Sequence, residues 1–350
     1  MIKSKSIIAT PPGATIKEQL EDRNMTQKEF AQRMGMSEKH ISHLVNGDVR
    51  LTPDVAIRLE SVLGLPADFW NKLEARYQEK SARAIAENEM DEDLQLIKNF
   101  PYNEIRKLNW IPDAKSPTEK VENLRKFFEV FKLSVLGPGI IPGIAIRQLN
   151  TSEKNDLILI TWAQKAKLDA RSIETKDINI EKLKSNIPKI REMTTQPPEI
   201  FCDNLVRTLT DCGIAVVFLP HIKGSFLHGA TFYDGKKIVM GLTVRGKDAD
   251  KFWFSLFHEL AHIIYGHIGQ SEGTTEEDEE LANKFACDTL IPEEKYNAFI
   301  KSKNFSKYDV VAFAKDVNIA PGIVVGRLQK ENFINYNQLN DLKVKYEIKD

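Results

Sequence analysis

From Thr15 to Tyr77 apolar residues recur at helical spacing, and Gly35, Gly47 and Gly64 punctuate the pattern. The stretch therefore predicts short helices joined by tight turns. Thr26, with Glu29 three residues on, forms a capping box that should open a helix running to Met34, and Ser37 can cap the next one. Between about Leu94 and Glu199 the pattern stays helical but weakly punctuated, broken by Gly137 to Gly143 (GPGIIPG) and by Pro188, Pro197 and Pro198. From Glu199 the texture changes. A helix to Asp211 has Phe201, Leu205 and Leu209 on one side, and after Gly213 the apolar run IAVVFLP predicts a buried strand. A hairpin should follow, with arms Leu227 to Tyr233 and Lys237 to Val244 and Asp234-Gly235 supplying the positive φ angles of the turn. Two helices come next, from about Asp248 to Tyr265 and from about Glu276 to Leu290, the second halted by Ile291-Pro292. Strand elements followed by helices favour an α+β domain.

Composition places the chain among soluble globular proteins: 350 residues, 42% hydrophobic and 28% charged, enough for two or three domains that each bury a core. No apolar run approaches the ~20 residues of a membrane helix, and the first residues lack a signal-type apolar stretch, so a cytoplasmic protein without a membrane partner is expected. Cys202, Cys212 and Cys287 lack close metal-type spacing and read as reduced thiols. A formal charge of −1 argues against coating nucleic acid by bulk electrostatics, so any DNA contact must be local. Even residues 1–78 carry 11 basic and 10 acidic residues.

Counting Gln27 as the first residue of a twenty-residue helix-turn-helix puts Ala31 at the helix crossing and Gly35 in the turn. Phe30, Met34, Met36, Ile41 and Leu44 then form its core. Ser37, Glu38, Lys39 and His43 would face base edges in the major groove of double-stranded operator DNA, while Gln27, Asn46 and Arg50 could hold phosphates. Such modules usually act in pairs on half-sites, so a homodimer is expected. The bland alternative is a helical bundle that binds protein, since the core pattern is silent about DNA and Glu38 would repel phosphate. Lys39, His40, His43 and Arg50 on the exposed side weigh against that alternative. With the tail LTPDVAIRLESVLGLPADFWNKLEARYQ, Leu51 to Gln78, residues 11 to 78 resemble the Cro/repressor-like regulators and, among them, the HigA-type antitoxins. That resemblance implies an operator-binding autoregulator, often paired with a toxin.

The strongest chemical signal is HELAH, His258 to His262. With 7 histidines and 50 acidic residues in 350 positions, chance HExxH matches number about 0.02. Spacing of four puts the two imidazoles about 40° apart on one helical face, close enough to share a Zn²⁺. Glu259 beside them can take a proton from water and deliver it to a leaving amine. A third ligand should come from the acidic run Glu276 to Glu280, from which periodicity alone selects no member. With Leu281, Phe285, Ala286 and Leu290 facing inward, Glu279 lies near that face and Asn283 one turn on could steady it, which favours Glu279. The rest of the run reads as a solvated helix start favoured by the macrodipole. Two core histidines beside an unpaired buried glutamate would be costly without a cation.

The region resembles the ImmA/IrrE family of zinc metallopeptidases, in which HExxH is followed by a second helix reading ExxAN-x-FA. Glu279, Ala282, Asn283, Phe285 and Ala286 match that pattern in register. The likeness runs from about Phe201, through GIAVVFLP and GATFYDGKKIVMGLTVR, to the LIP after the second helix. It implies a zincin-like domain with His258, His262 and Glu279 as ligands and Glu259 as general base. It further implies that the hairpin lies beside the cleft, where an edge strand could pair with an extended substrate.

His228, Tyr265 and His267 are candidates for stabilising an oxyanion, although a packing role is the simpler reading of each, and His221 has no case. Asp309 to Gln329 again reads helix, turn, helix. Its mostly apolar second helix, with only Arg327 and Gln329 as polar readers, suits packing better than DNA.

The expected molecule is thus multidomain: an all-α helix-turn-helix domain at 1–78, a helical connector at 79–198, and an α+β zincin-like domain with a C-terminal helical extension at 199–350. Its expected activity is operator binding joined to cleavage of a repressor or antitoxin. The competing reading is a non-proteolytic antitoxin whose metal domain senses a ligand or docks a cognate toxin. Nuclease action is disfavoured because no carboxylate cluster suits Mg²⁺.

Overall fold

The computed structural model describes residues 2–136, 153–223, 229–243, 248–270 and 273–347. The GPGIIPG segment and His228 lie outside them. The chain divides into two compact units, Met1–Leu96 and Ile97–Asp350.

The first unit opens with a two-stranded antiparallel ladder, β1 (Ile2–Lys3) and β2 (Ile8–Ala9), which the hydrophobic pattern does not foretell. Five helices follow: α1 (Pro12–Asp22), α2 (Gln27–Met34), α3 (Glu38–Asn46), α4 (Pro53–Leu63) and α5 (Ala67–Leu96). Their boundaries are chemical. Thr26, Ser37 and Thr52 each accept a backbone N–H at the start of a helix, and Gly35, Gly47 and Gly64 end α2, α3 and α4 in the left-handed conformation. Each such N-cap contributes about 1 kcal/mol, and glycine makes the left-handed stop without steric cost. Glu29 does not reach back to complete a box, because its carboxylate is engaged by Arg33. Phe30, Ile41, Ala56, Leu59 and Trp70 are fully or almost fully buried in this unit's core. Met36, expected among them, is only partly buried. The boundary expected between residues 78 and 79 falls inside the continuous helix α5.

The second unit begins with α6 (Tyr102–Lys107) and α7 (Pro117–Phe128). Then come α8 (Glu153–Ala170), α9 (Ile180–Glu192) and α10 (Pro198–Thr210). A three-stranded sheet follows, β3 (Ile214–Phe218), β4 (Gly229–Asp234) and β5 (Lys237–Leu242). Its order is β3-β5-β4, with β3 parallel and β4 antiparallel to β5, so β4 lies at an edge among the described residues. The chain continues through α11 (Ala249–Tyr265), α12 (Glu276–Leu290), α13 (Glu293–Lys301), α14 (Lys307–Asp316) and α15 (Pro321–Lys330). At the hairpin, Asp234 stays in the strand opposite Lys237, and of the turn residues only Gly235 has positive φ.

Residues expected to serve as a connector belong instead to this unit's packing. Leu183 and Ile190 of α9 are fully buried with Phe201, Trp253 and Leu256. On α8, Trp162 lies over Gly241 of β5, where an added Cβ would meet its ring at 2.6 Å. No single-residue periodicity reports such pairings across 79 positions. The C-terminal helix pair is structural. Arg327 stacks over the Tyr296 ring at 3.7 Å, and Gln329, 1% exposed, donates to the carbonyls of Gln338 and Tyr336. Neither is free to read a base. All three cysteines are free, and among the described residues no helix is long and apolar enough to cross a membrane.

One close approach in the first unit tests its packing. A Cβ on Gly13 of α1 would lie 2.1 Å from the Val45 carbonyl oxygen and 2.6 Å from that of Leu44, both on α3. Backbone cannot swing aside as a side-chain tip can. Gly13→Ala should therefore destabilise this unit by about 1–3 kcal/mol or more, read as a lowered urea midpoint.

Candidate metal centre

The site is built where α11 and α12 cross. α11 is apolar over most of its surface, with Phe252, Trp253, Leu256, Phe257 and Leu260 buried, and therefore runs through the core of the second unit. His258 and His262, one turn apart, share the face that meets α12. Their Nε2 atoms are 3.0 Å apart. The Glu279 carboxylate closes the triangle, with Oε2 3.4 Å from His258 Nε2 and Oε1 3.6 Å from His262 Nε2. Two ligands on a tetrahedral Zn²⁺ at ~2.0–2.1 Å would be about 3.3 Å apart, so this spacing suits such an ion. The three residues form a group that could hold a metal.

α12 presents Glu279 through its own cap. Thr275 accepts the Asp278 N–H, and the Asp278 carboxylate accepts the Thr275 N–H, a capping box that fixes the first turn. Glu276, Glu277 and Glu280 are exposed, whereas Asp278 and Glu279 turn inward. The inward face is Ala282, Ala286 and Leu290; Leu281, expected there, is 42% exposed. Small Ala282 and Ala286 let the two helices approach closely enough for a glutamate to reach the rings.

The other polar atoms are accounted for. Asn283 Oδ1 lies 3.2 Å from His258 Nδ1, so it steadies that ring and not Glu279 as the sequence suggests. Thr274 Oγ1 donates to Glu279 Oε1 at 2.7 Å. Thr231 Oγ1, on edge strand β4, donates to Glu259 Oε2 at 2.6 Å. A Cβ on Gly229 would lie 2.9 Å from Glu259 Cγ, so the strand's glycine makes room for that side chain. Gly229, Thr231, Thr274 and Asp278 escape a sequence reading. For Asp278 a signal existed, the pair Thr275/Asp278 at capping-box spacing; for Thr231 there was none.

Burial pushes the Glu259 carboxyl above the usual carboxylate range, against the charge of His258 and the Thr231 hydrogen bond. The hydrogen bond to His258 leads in drawing Glu279 down to about 2, despite burial. Burial, then the charge of His258, push His262 down to about 4. The shifts of His262 and Glu279 favour the neutral imidazole and ionised carboxylate that ligate a cation, whereas His258, against burial, is raised by its hydrogen bond to Glu279.

The remaining candidates sort differently. His267 is 7% exposed and its Nδ1 lies 3.1 Å from His262 Nδ1, behind the ring and away from Nε2, so it is badly placed to meet an oxyanion there. Tyr265 is 48% exposed and stacks on His267 with ring centroids 5.7 Å apart.

In the first unit, Gln27, Ser37, Glu38, Lys39, Asn46 and Arg50 are exposed. Ser37 Oγ is occupied as the α3 cap, accepting the His40 N–H at 3.2 Å. His43 is half-buried, with Nδ1 3.1 Å from Asp48.

Comparison with known proteins fits both units. Residues 16–70 match the helix-turn-helix family model. Residues 213–329 match that of the IrrE N-terminal-like domain, peptidase family M78. The uncharacterized HTH-type transcriptional regulator YddM of Escherichia coli (strain K12) is 32% identical over 89 residues, 25% of this chain and 88% of its own length. The chain belongs to the helix-turn-helix regulators. Antitoxin HigA-1 of Vibrio cholerae serotype O1 is 37% identical to this regulator over 71 residues, 18% of the regulator and 67% of the antitoxin. An addiction-module antidote protein of the HigA family from Coxiella burnetii matches 24% of the regulator and 94% of its own chain, at 23% identity and a TM-score of 0.22. The regulator thus joins a DNA-binding, antitoxin-like module to an M78 domain.

The hold on Glu259 can be tested without the reaction. Thr231→Val keeps the side-chain shape but strips a buried carboxyl of its donor, and should cost about 1–3 kcal/mol. Thr231→Ser should restore most of it, both read by denaturant unfolding of the metal-free protein.

Proposed function

We propose that this regulator binds operator DNA through its first unit and, through its second, is a zinc-dependent endopeptidase that cuts a partner regulator or antitoxin. The observation that carries the peptidase reading is the convergence of His258, His262 and Glu279 beside an intact, buried Glu259. A purely structural zinc site is closed by four protein ligands and has no use for a base. Here three donors converge, consistent with a corner left for water and substrate.

His258 and His262 would hold the ion through Nε2 and Glu279 through its carboxylate. Bound there, Zn²⁺ supplies a Lewis acid for the peptide carbonyl and lowers the pKa of water. Glu259, its carboxyl raised by burial, takes the proton from the attacking water and passes it to the leaving amine. Thr231 keeps Glu259 at the β4 edge while it does so. That edge can receive an extended chain as an added strand, with backbone hydrogen bonds setting its path. Work in the cytoplasm as a homodimer fits operator binding.

The likeness to an antitoxin favours a second reading, in which the metal domain docks a toxin or senses a ligand without cutting. Glu259→Gln separates the two. The full chain is coexpressed with the protein encoded beside it, and fragments are sought by mass spectrometry. The variant should retain one zinc per chain and lose cleavage by at least about 100-fold. Absence of cleavage by the unaltered protein, with zinc bound, favours the docking reading.

Lys39 and Arg50 are exposed on and just after α3, and among the described residues neither has a described ion pair, whereas Arg33 and Arg58 are held by Glu29 and Asp54. Lys39→Ala and Arg50→Ala should each weaken binding to the DNA upstream of the regulator's own coding sequence and lower the salt slope by about 1. Fluorescence anisotropy across a KCl series reads both.

A further inference from the structure

Behind the candidate centre, two titratable groups that the proposed reaction does not use, His267 and Asp278, stand in line with the ligand His262. His262 Nδ1 faces His267 Nδ1 at 3.1 Å, and His267 Nε2 faces Asp278 Oδ1 at 3.2 Å. Both rings are 7% exposed. Two ring nitrogens in contact can share only one proton, so one donates and the other accepts. An ionised carboxylate only accepts, which puts the proton of a neutral His267 on Nε2 and leaves its Nδ1 as the acceptor. His262 must then donate from Nδ1, and its Nε2, on the side of His258 and Glu279, is left with a bare lone pair.

We propose that His267 is a positioning residue that, anchored by Asp278, fixes His262 as the Nδ1–H tautomer and so presents Nε2 to a cation. The inference rests on reading His258, His262 and Glu279 as a metal centre. Asp278 is well placed for the task because the capping box with Thr275 immobilises it at the start of α12. The same helical turn carries Glu279. Consecutive carboxylates thus address opposite nitrogens of one ring, Glu279 directly at Nε2 and Asp278 through His267 at Nδ1. His258 needs no such chain, since Asn283 Oδ1 accepts from its Nδ1–H alone. An imidazole between ligand and carboxylate extends the usual outer-shell device, in which a ligating histidine gives its second N–H to an acceptor and gains affinity and orientation.

Simple packing is the competing account, because His267 also stacks on Tyr265. His267→Phe keeps a stacked ring and removes the acceptor; His267→Asn keeps an acceptor oxygen near the position of Nδ1. Zinc affinity of the full chain is measured by chelator competition, with zinc alone as the probe. The Phe variant should bind about 10–100-fold more weakly and the Asn variant within about threefold of the parent. Nitrogen-15 NMR of metal-free, histidine-labelled protein at pH 8 should show His262 protonated at Nδ1, with the Nε2–H form appearing in His267→Phe. Equal zinc affinity of parent and Phe variant, equal loss in both variants, or Nε2–H at His262 in the parent overturns the proposal. If the parent binds no zinc at all, the metal reading itself fails, and the tautomer measurement still decides whether His267 sets the proton on His262.

Discussion

Three ionisable side chains brought together inside an apolar helix crossing set the terms for the rest of the second unit. His258, His262 and Glu279 sit where α11 passes α12, and a charged group in such surroundings is costly unless its remaining donors and acceptors are met. The structure meets them one by one. Asn283 takes one Nδ1, His267 the other, Thr274 holds the Glu279 carboxylate, and Thr231 holds Glu259. These outer contacts leave the inner atoms of His258, His262 and Glu279 facing one another.

That convergence needs a rigid platform. α11 serves as both core helix and site helix: Trp253 and Phe257 are fully buried on it, and the Trp253 Nε1–H donates to the Tyr346 hydroxyl near the chain's end. At its start, Asp250 pairs with Lys343 at 2.9 Å and lies so close to Gly326 of α15 that a Cβ there would approach within 2.2 Å. The C-terminal helices therefore act on the site indirectly, by fixing the helix that carries the histidines. This gives the second helix-turn-helix-like segment a physical role that requires no DNA.

The first unit obeys a different logic. Its helices α2, α3 and α4 begin at side-chain caps and end at left-handed glycines, so their boundaries are specified within a few residues. Several of its cations are paired with acidic neighbours, as Arg33 with Glu29 and Arg58 with Asp54, in keeping with the near-neutral charge of residues 1–78. Affinity for DNA must then come from a few placed contacts in place of a broad basic field.

What the chain alone determined were the features governed by short-range rules: the capped helices α2 and α3 with their glycine stops, the helices at Ala249–Tyr265 and Glu276–Leu290, and the HExxH pair that i,i+4 geometry puts on one face. Glu279 was favoured among five acidic neighbours because it lies near the face of Leu281, Phe285, Ala286 and Leu290, although Leu281 is exposed and Asn283 serves His258 instead. Tertiary structure decided everything that depends on distance along the chain. Thr231 meets Glu259 across 28 residues, Asn283 meets His258 across 25, α8 lays Trp162 over the sheet, and α9 packs its buried face against α10, α11 and α12 where a connector was expected. Periodicity reports which face of an element is buried, but it carries no information about which element lies against that face, and the identity of that neighbour is what sets a proton, a lone pair or a carboxylate in place.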